Sequence, residues 1–222
     1  MPSVTQSPPL TPRLAAHLAT LYAGGPQTGV DGKPHPIDAV TRIAPEQGML
    51  LRDLVLGQRP QFTLEIGLAY GFSSLYILDA LETLGVGHHF ALDPYQRSYW
   101  HGIALAHVEA AGAGDRFTFI EERAAHALPR FLELGIRPGV IFIDGDHKFD
   151  SAFVDFYFAA QLCPPGGVIV LDDMWMPAIR RVTAFIEANR HDFTREASDI
   201  DNVAIFRRTG EDARSWDHYV PF

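Results

Sequence analysis

Two acidic stretches in the second half of the chain contain the residue types that could do chemistry. They are "FIDGDHKFD" (142–150) and "VLDDMW" (170–175), and each begins with the end of a short apolar run typical of a buried strand. If the two strands are neighbours, their ends bring together four carboxylates and a histidine, namely Asp144, Asp146, His147, Asp172 and Asp173. Carboxylates this close repel one another unless a cation lies among them.

Such a cluster favours a particular chemistry. Hard oxygen ligands from few residues suit Mg²⁺, completed by water and substrate oxygens. A divalent ion bound to a hydroxyl oxygen lowers its pKa and positions it. A base is still needed to take the proton of that hydroxyl. The pKa of a histidine side chain lies in the right range, so His147 is the candidate base. Structural interpretations remain open: Asp146 and Lys148 could flank a helix, Asp173 could be a helix N-cap, and His147 could be a structural histidine.

The stretch "TLEIGLAYGFSS" (63–74) predicts a second site. Its glycines, Gly67 and Gly71, are spaced G-x-x-x-G, whereas the dinucleotide pattern is G-x-G-x-x-G. Glu65 would repel a pyrophosphate and suits a ligand with a cationic end. Asp93, 22 residues after Gly71, stands where an acid receives the hydroxyls of a ribose. S-adenosylmethionine (SAM) fits, with its ammonium near Glu65 and its sulfonium next to Gly67; the alternative is that the glycines only allow tight strand–helix packing.

The elements that must position these residues alternate regularly. Five β-rich runs lie at 61–66, 88–93, 116–121, 139–144 and 167–172, with helical stretches at 73–85, 97–112, 124–134 and 148–162 between them. Near-continuous apolar strands joined by helices predict an α/β fold with a doubly wound, Rossmann-like parallel sheet. After a helix at 177–189, the runs 192–198 and 202–208 are too close for another helix, so they predict a hairpin and one antiparallel strand.

The segment before the sheet reads as two helices. We predict one helix at 12–23, a turn-rich loop at 24–36, and a second helix at 37–57 that is broken or kinked near Pro45. We therefore divide the chain into a disordered lead-in (1–12), an N-terminal helical cap (13–57), a SAM-binding domain (58–209) and a tail (210–222). The aromatic tail is interpreted as a lid, a dimer contact or a flexible end.

Three stretches, "LEIGLAYGFSS", "ALDP" and "LCPPGGVIVLDD", resemble the class I SAM-dependent methyltransferases over roughly residues 60–208. That family has a seven-stranded sheet with a reversed last strand. The resemblance implies that the cofactor-binding residues are Glu65, Gly67, Ala69, Tyr70, Gly71, Ser73, Asp93, Pro94, Ala124 and Asp144. Where the family usually carries a Gly-Asp-Ala-like turn that holds the adenine, this chain instead has Glu122, Arg123 and Ala124.

The acidic stretches resemble those of the metal-dependent O-methyltransferases, both catechol-type and antibiotic-sugar-type. Carried over, the resemblance implies Asp144, Asp172 and Asp173 as ligands of Mg²⁺, with His147 at the base position and Asp146 beside it. Many phenol-acting members have Asp-Asn at the last pair and lysine at the base position. The implied reaction is methyl transfer from SAM to a hydroxyl of a sugar, phenol or natural product, and related proteins are commonly homodimers.

Composition narrows the function classes. A net charge of −9 argues against a nucleic-acid partner, and no stretch reaches the ~20 apolar residues of a membrane helix. The N-terminus lacks the apolar core of a signal peptide, so a cytoplasmic enzyme with a small-molecule substrate is expected. Two alternatives stay open: a nicotinamide-dependent oxidoreductase on a Rossmann fold, and a non-catalytic, cofactor-binding partner module.

Overall fold

The computed structural model describes residues 8–222 and contains a seven-stranded sheet with helices on both faces. A two-stranded ladder (β1, Gln27–Thr28; β2, Pro34–His35) precedes it. The strands of the large sheet are β3 (Phe62–Ile66), β4 (His88–Leu92), β5 (Phe117–Ile120), β6 (Val140–Ile143), β7 (Val168–Leu171), β8 (Phe193–Glu196) and β9 (Ala204–Arg208). The helices are α1 (Pro12–Ala23), α2 (Pro45–Gln58), α3 (Phe72–Leu84), α4 (Ile103–Ala110), α5 (Ala124–Glu133), α6 (Phe149–Leu162) and α7 (Pro177–Asn189).

The strand order is β5-β4-β3-β6-β7-β9-β8, and β9 runs antiparallel to both of its neighbours. The predicted parallel sheet with one reversed strand in a C-terminal hairpin is therefore confirmed. From β3 the chain winds outward through β4 and β5, and then returns to place β6 on the other side of β3. Strand order reverses between β3 and β6, and ligands of open α/β sheets bind beyond the carboxyl ends of strands at such a point.

Alternating side chains of the strands divide the core in two. Val140 and Phe142 of β6 face a cluster built with α1, α2 and α3, whereas Ile141 and Ile143 face a cluster built with α5, α6 and α7. Both faces of the central strands are covered, which explains their nearly unbroken apolar sequences. Within the described residues, every helix is too short or too polar to cross a bilayer.

The predicted helix at 37–57 is wrong over residues 37–44, which are not helical. The structure begins this helix at Pro45, because proline fits the first turn of a helix, where its missing N–H would have no partner. Before it, the Asp38 carboxylate accepts hydrogen bonds from the backbone N–H groups of Val40 and Thr41 and holds a turn. The predicted helix at 97–112 is likewise longer than the observed helix α4 (Ile103–Ala110). This helix begins after Gly102, a residue with φ of +66°.

A buried ion pair anchors the segment that leads into α1. The guanidinium of Arg52 on α2 donates to Asp79 on α3, and both side chains are fully buried. The backbone and hydroxyl of Thr11 donate to the other oxygen of Asp79, at 2.7 Å each, and Arg52 also donates to the carbonyl of Pro9. Residues 1–7 of the predicted disordered lead-in lie outside the described residues, whereas residues 9–11 are held against the domain.

We expect Asp79→Ala to lower the free energy of unfolding by about 3–5 kcal/mol, because it leaves the Arg52 guanidinium buried without its counter-charge. Urea unfolding measures this loss. Asp53→Ala, which removes an exposed carboxylate 4.0 Å from the same arginine, is the matched control and should cost less than about 1 kcal/mol. Equal losses from the two variants would show that burial of the pair is not what stabilises this region.

The C-terminal tail lies along α7. The side-chain amide of Asn189 donates to the carbonyl of Val220 and accepts from its N–H, both at 2.8 Å. Phe222 packs on Phe185 with ring centroids 5.3 Å apart. Of the three interpretations offered for the tail, the structure supports neither a lid nor a flexible end, because residues 220–222 are docked on the outer side of a helix.

Candidate active site

A cavity of about 840 Å³ opens at the carboxyl ends of β3, β4 and β6, at the reversal of strand order. This volume is within the usual range for small-molecule sites. Its wall includes six of the predicted cofactor-binding residues, which are Gly67, Ala69, Asp93, Pro94, Ala124 and Asp144, together with the predicted metal and base residues Asp146, His147, Asp172 and Asp173. The sequence prediction that these residues share one cleft is therefore consistent with the geometry.

The glycines of "TLEIGLAYGFSS" (63–74) each have a steric reason. Gly67 has φ of +95°, and a Cβ at this position would lie 1.9 Å from the carbonyl oxygen of Asp144. Gly71 has φ of +84° at the N-terminus of α3, where a Cβ would lie 2.8 Å from that of Ala104. Close packing thus explains both glycines, and Gly67 in addition leaves its backbone open to the cavity.

Asp93 holds the loop between these glycines. One carboxylate oxygen accepts the N–H groups of Leu68 and Ala69, and the other accepts that of Tyr95 at 2.8 Å. A carboxylate has about four lone-pair positions, so one is left for a ligand. Burial raises the pKa of Asp93, and these hydrogen bonds oppose the rise. Gln96, which is fully buried, donates to the carbonyl of Ala69 from the same side.

Glu65 is not where the sequence prediction placed it. Its carboxylate is fully buried and accepts hydrogen bonds from the hydroxyls of Ser73 and Ser74, while His89 lies 3.1 Å away. The side chain of a strand residue alternates between faces, and Glu65 points under α3 and not toward the cavity. The expected contact with a ligand ammonium is therefore corrected: Glu65 fastens the start of α3, at Ser73 and Ser74, to β3.

Two more predicted cofactor residues lie behind the cavity wall. The hydroxyl of Tyr70 donates to Asp38 at 3.2 Å, and its ring meets the edge of Trp100. Gly71 is enclosed between α3 and α4. Both are absent from the lining that the structure describes, and they act on the shape of the loop, not on a ligand directly.

The acidic stretches meet as predicted. Nε2 of His147 lies 2.7 Å from Asp173 and 3.4 Å from Asp144. One ligand atom from each of these three residues lies within 4.8 Å of the others, which is close enough to share a metal ion. Asp173 has φ of +59° and is not the N-cap of α7, which is Met176. The N-cap interpretation of Asp173 is therefore wrong.

Asp172 is buried beside this group and is held by residues far away in sequence. One of its oxygens accepts from the side-chain amide of Gln47 at 2.7 Å, from that of Asn202 at 2.9 Å, and from the backbone N–H of Asp173 at 2.7 Å. Gln47 is fixed in turn, because its carbonyl oxygen accepts the N–H of Ala44 at the start of α2. Gln47 and Asn202 lie outside the two acidic stretches from which the site was predicted, and the structure adds them to it.

Burial and the neighbouring charges shift the pKa values of the groups in this cluster. Burial, and then the charge of Asp144, raises the pKa of Asp172 to about 8. Burial also raises the pKa of Asp144 to about 6, against the opposing hydrogen bond of His147. The hydrogen bonds to Asp144 and Asp173 raise the pKa of His147 to about 10. A protonated His147 thus serves as the counter-ion of the two carboxylates it contacts.

Asp146 has a structural role. Its carboxylate accepts from the ammonium of Lys148 at 3.0 Å and from the hydroxyl of Ser151 at 3.0 Å, at the beginning of α6. The hydrogen bond from Lys148 holds the pKa of Asp146 below its usual range, which makes it a poor base. These contacts fit the alternative that Asp146 flanks the helix, and a catalytic role of Asp146, which also lines the cavity, stays a prediction.

Comparisons with known proteins agree with this geometry. A family model described as "Methyltransferase domain" matches residues 64–174. A curated catechol O-methyltransferase of Niastella koreensis is 28% identical over 133 residues, which is 60% of this chain. The match spans 58% of the length of that relative.

Solved structures show the same fold. The O-methyltransferase from Bacillus cereus, in complex with S-adenosylhomocysteine (SAH), superposes with a TM-score of 0.66 at 23% identity. The match covers 90% of this chain and 92% of the Bacillus cereus chain. The O-methyltransferase TomG from Streptomyces achromogenes, in complex with SAM, superposes with a TM-score of 0.68 at 22% identity. The match covers 90% of this chain and 91% of TomG. Since the family model spans half of the chain and contains its glycine loop and acidic cluster, the chain belongs to the methyltransferase domain family, with the class I fold.

Proposed function

We propose that the protein transfers the methyl group of SAM to a hydroxyl oxygen of a small molecule, assisted by Mg²⁺. The observation that carries the proposal is the shared cavity, in which the glycine loop at Gly67 and the group Asp144, His147 and Asp173 line one wall. A methyl donor and an activated acceptor must meet within bonding distance, and this arrangement provides for both.

The donor would lie over the loop. Gly67 and Ala69 offer backbone without steric hindrance, Asp93 has one free lone-pair position for a ribose hydroxyl, and Pro94 and Ala124 supply apolar walls. With Glu65 turned away, the ammonium end must find its acceptors elsewhere on the rim. The Asp144 carboxylate, at the end of the adjacent strand β6, lines the same cavity and is a candidate among the predicted residues.

The residues fit a divalent cation. Asp144 and Asp173 offer ligand atoms within 4.8 Å of each other and would hold it, and Asp172, which lies outside that group, would complete three carboxylate donors of the kind that suits Mg²⁺. Two of the three have pKa values raised by burial and mutual repulsion, which indicates a site short of positive charge. When bound, Mg²⁺ supplies acidification and orientation of the acceptor hydroxyl. Once the charges of Asp144 and Asp173 are balanced, the cause of the raised His147 pKa is removed, and the imidazole is free to accept a proton.

The proposed step is an in-line displacement. The acceptor oxygen forms a bond to the methyl carbon while the carbon–sulfur bond breaks. The electron pair stays on sulfur, which leaves as the neutral thioether of SAH. The proton of the acceptor hydroxyl passes to the imidazole of His147, whose Nε2 is oriented by Asp173 at 2.7 Å.

A thermal-shift comparison tests the class of donor. SAH should raise the melting temperature, by several degrees at saturating concentration, whereas NAD and NADP should leave it unchanged, because the loop lacks the third glycine and the open helix terminus that a pyrophosphate requires. Stabilisation by NAD or NADP but not by SAH would replace this proposal with the oxidoreductase alternative.

A pH series with and without Mg²⁺ tests the metal. In the metal-free protein the pKa values of Asp144, Asp172 and His147 are all raised, so the folded state binds more protons than the unfolded state between about pH 4 and pH 10. Stability is then lost as pH rises through this window. We expect Mg²⁺ to stabilise the protein more at pH 9 than at pH 6. Stabilisation that is independent of pH, and unchanged in Asp172→Ala, would contradict the assignment.

A further inference from the structure

Two amide side chains from outside the acidic stretches hold one oxygen of Asp172 and leave the other open. Oδ1 of Asp172 accepts from Nε2 of Gln47 at 2.7 Å, from Nδ2 of Asn202 at 2.9 Å and from the N–H of Asp173 at 2.7 Å. A carboxylate oxygen has about two lone-pair positions, so three donors saturate Oδ1. Within residues 8–222 no hydrogen bond reaches Oδ2, which is therefore the oxygen of Asp172 that remains for a ligand in the cavity.

The amide of Gln47 can take only one orientation. Its Oε1 accepts the N–H of Ala44 at 3.0 Å while its Nε2 donates to Asp172. Turning the amide over would set oxygen against carboxylate at one end and N–H against N–H at the other. The backbone is fixed as well, because a Cβ at the next residue, Gly48, would lie 2.1 Å from the ring of Tyr76 on α3. Gln47 therefore presents its donor to Asp172 from a helix that cannot shift.

Asn202 holds the same loop from the turn between β8 and β9. Its backbone carbonyl accepts the N–H of Met174 at 3.0 Å, and its Nδ2 lies 3.4 Å from Oδ1 of Asp173 in addition to its bond with Asp172. The loop that follows β7 is thus fixed by two amides, one on α2 in the N-terminal helical cap and one in the C-terminal hairpin.

The donors to Asp172 are neutral, unlike the partners of two other buried acids in this chain. Asp79 is paired with Arg52, and Asp192 with Arg190. Asp172 is buried to a similar degree, with 4% of its surface exposed, yet no arginine or lysine of the described residues forms an ion pair with it. Neutral amides orient a carboxylate without supplying a counter-charge, and carboxylates that bind metal ions are held in this way.

We propose that Gln47 and Asn202 are positioning residues for the cation of the proposed function: they hold Oδ1 of Asp172 and so keep Oδ2 for the cation. This inference rests on the proposed function, because it takes the cation from there. It adds that affinity for the cation depends on the N-terminal helical cap and on the hairpin, and not on the acidic stretches alone. Neither amide touches the reacting atoms.

Calorimetric titration of Mg²⁺ into the protein, without SAM or an acceptor, tests the proposal. Gln47→Met keeps the length of the side chain and removes the donor, and we expect it to weaken Mg²⁺ binding by about ten- to a hundredfold. Gln58→Met is the matched control, because Gln58 lies on the same helix and donates to the carbonyl of Gly166 at 2.7 Å, before β7 begins. This control should keep Mg²⁺ affinity within about threefold of wild type.

The second amide is tested in the same way. Asn202→Ala should also weaken Mg²⁺ binding by about ten- to a hundredfold. Asn189→Ala, which removes the amide that holds the tail at Val220, is its control and should leave Mg²⁺ affinity unchanged.

Calorimetric titration of SAH separates positioning from a general structural role. We expect Gln47→Met to bind SAH within about threefold of wild type, whereas a variant that merely distorts the cavity would lose affinity for both ligands. Wild-type Mg²⁺ affinity in either Gln47→Met or Asn202→Ala, or equal losses of Mg²⁺ and SAH affinity, would overturn the proposal and leave the proposed function standing. If the wild type binds no Mg²⁺, the metal-assisted part of the proposed function fails, and this proposal fails with it.

Discussion

Replacing His147 by glutamine is expected to lower kcat by about a hundred- to ten-thousandfold, because the variant has no group that can take the proton of the acceptor hydroxyl. SAH affinity should stay within about threefold, since His147 contacts Asp144 and Asp173 and not the glycine loop. Methyl-transfer kinetics at saturating SAM and Mg²⁺, with calorimetry of SAH binding, measure the two effects separately.

The matched control for this variant is His126→Gln, at an exposed position on α5. It should leave kcat unchanged. A kcat for His147→Gln within about threefold of wild type would assign His147 to charge balance in the metal-free state alone, and the base would have to be sought elsewhere.

Replacing Gly67 by alanine is expected to have the largest effect on donor binding. The added Cβ would lie 1.9 Å from the backbone carbonyl of Asp144 and would force φ of +95° on a residue that avoids it. Neither the close contact nor the unfavourable φ can relax locally, because β3 and β6 are paired through Glu65–Phe142 and Ile66–Ile143. The Asp144 N–H also donates to the carbonyl of Ile66 at 2.8 Å.

We expect Gly67→Ala to lower the free energy of unfolding by about 2–4 kcal/mol and to weaken SAH binding by more than about a hundredfold. Urea unfolding and calorimetry measure the two losses. The control is Gly57→Ala in α2, where a Cβ meets no atom within 4 Å, and this change should be neutral or slightly stabilising. Undiminished SAH binding by Gly67→Ala would mean that the donor does not lie on this loop.

The fold was largely predictable because its signals are local and repeated. Five apolar runs separated by helices require a parallel sheet, and the short gap between the last two runs requires a hairpin; the structure confirms both. The start of α2 was predicted wrongly, because the apolar spacing of residues 37–44 resembles a helix. Whether Pro45 kinks a helix or begins one depends on the turn held by Asp38, which propensity does not reveal.

The site was predictable only where strand ends bring residues together. Asp144, His147, Asp172 and Asp173 follow two strands that proved to be adjacent, so their presence in one cavity could be inferred from the sequence; of the four, Asp144, His147 and Asp173 lie close enough to share a metal ion. Glu65 could not be placed, because the face toward which a strand residue points depends on register and on partners such as Ser73 and His89.

The partners that hold Asp172 could not be predicted for the same reason. Gln47 reaches Asp172 across 125 positions, and Asn202 reaches it from the hairpin turn. Neither of them belongs to a motif, and only tertiary packing brings them to the cavity. The position of Gln47, two residues after the proline that begins α2, is a weak signal of helix capping. This signal does not indicate that the Gln47 side chain also binds Asp172.

The central claim is metal-assisted methyl transfer, and the most direct measurement is transfer of labelled methyl groups from SAM to a panel of hydroxylated sugars, phenols and natural products. We expect transfer in Mg²⁺, background counts in EDTA, recovery when Mg²⁺ is restored in excess, and no recovery for Asp172→Ala. Full transfer in EDTA, together with an active Asp172→Ala variant, would contradict it.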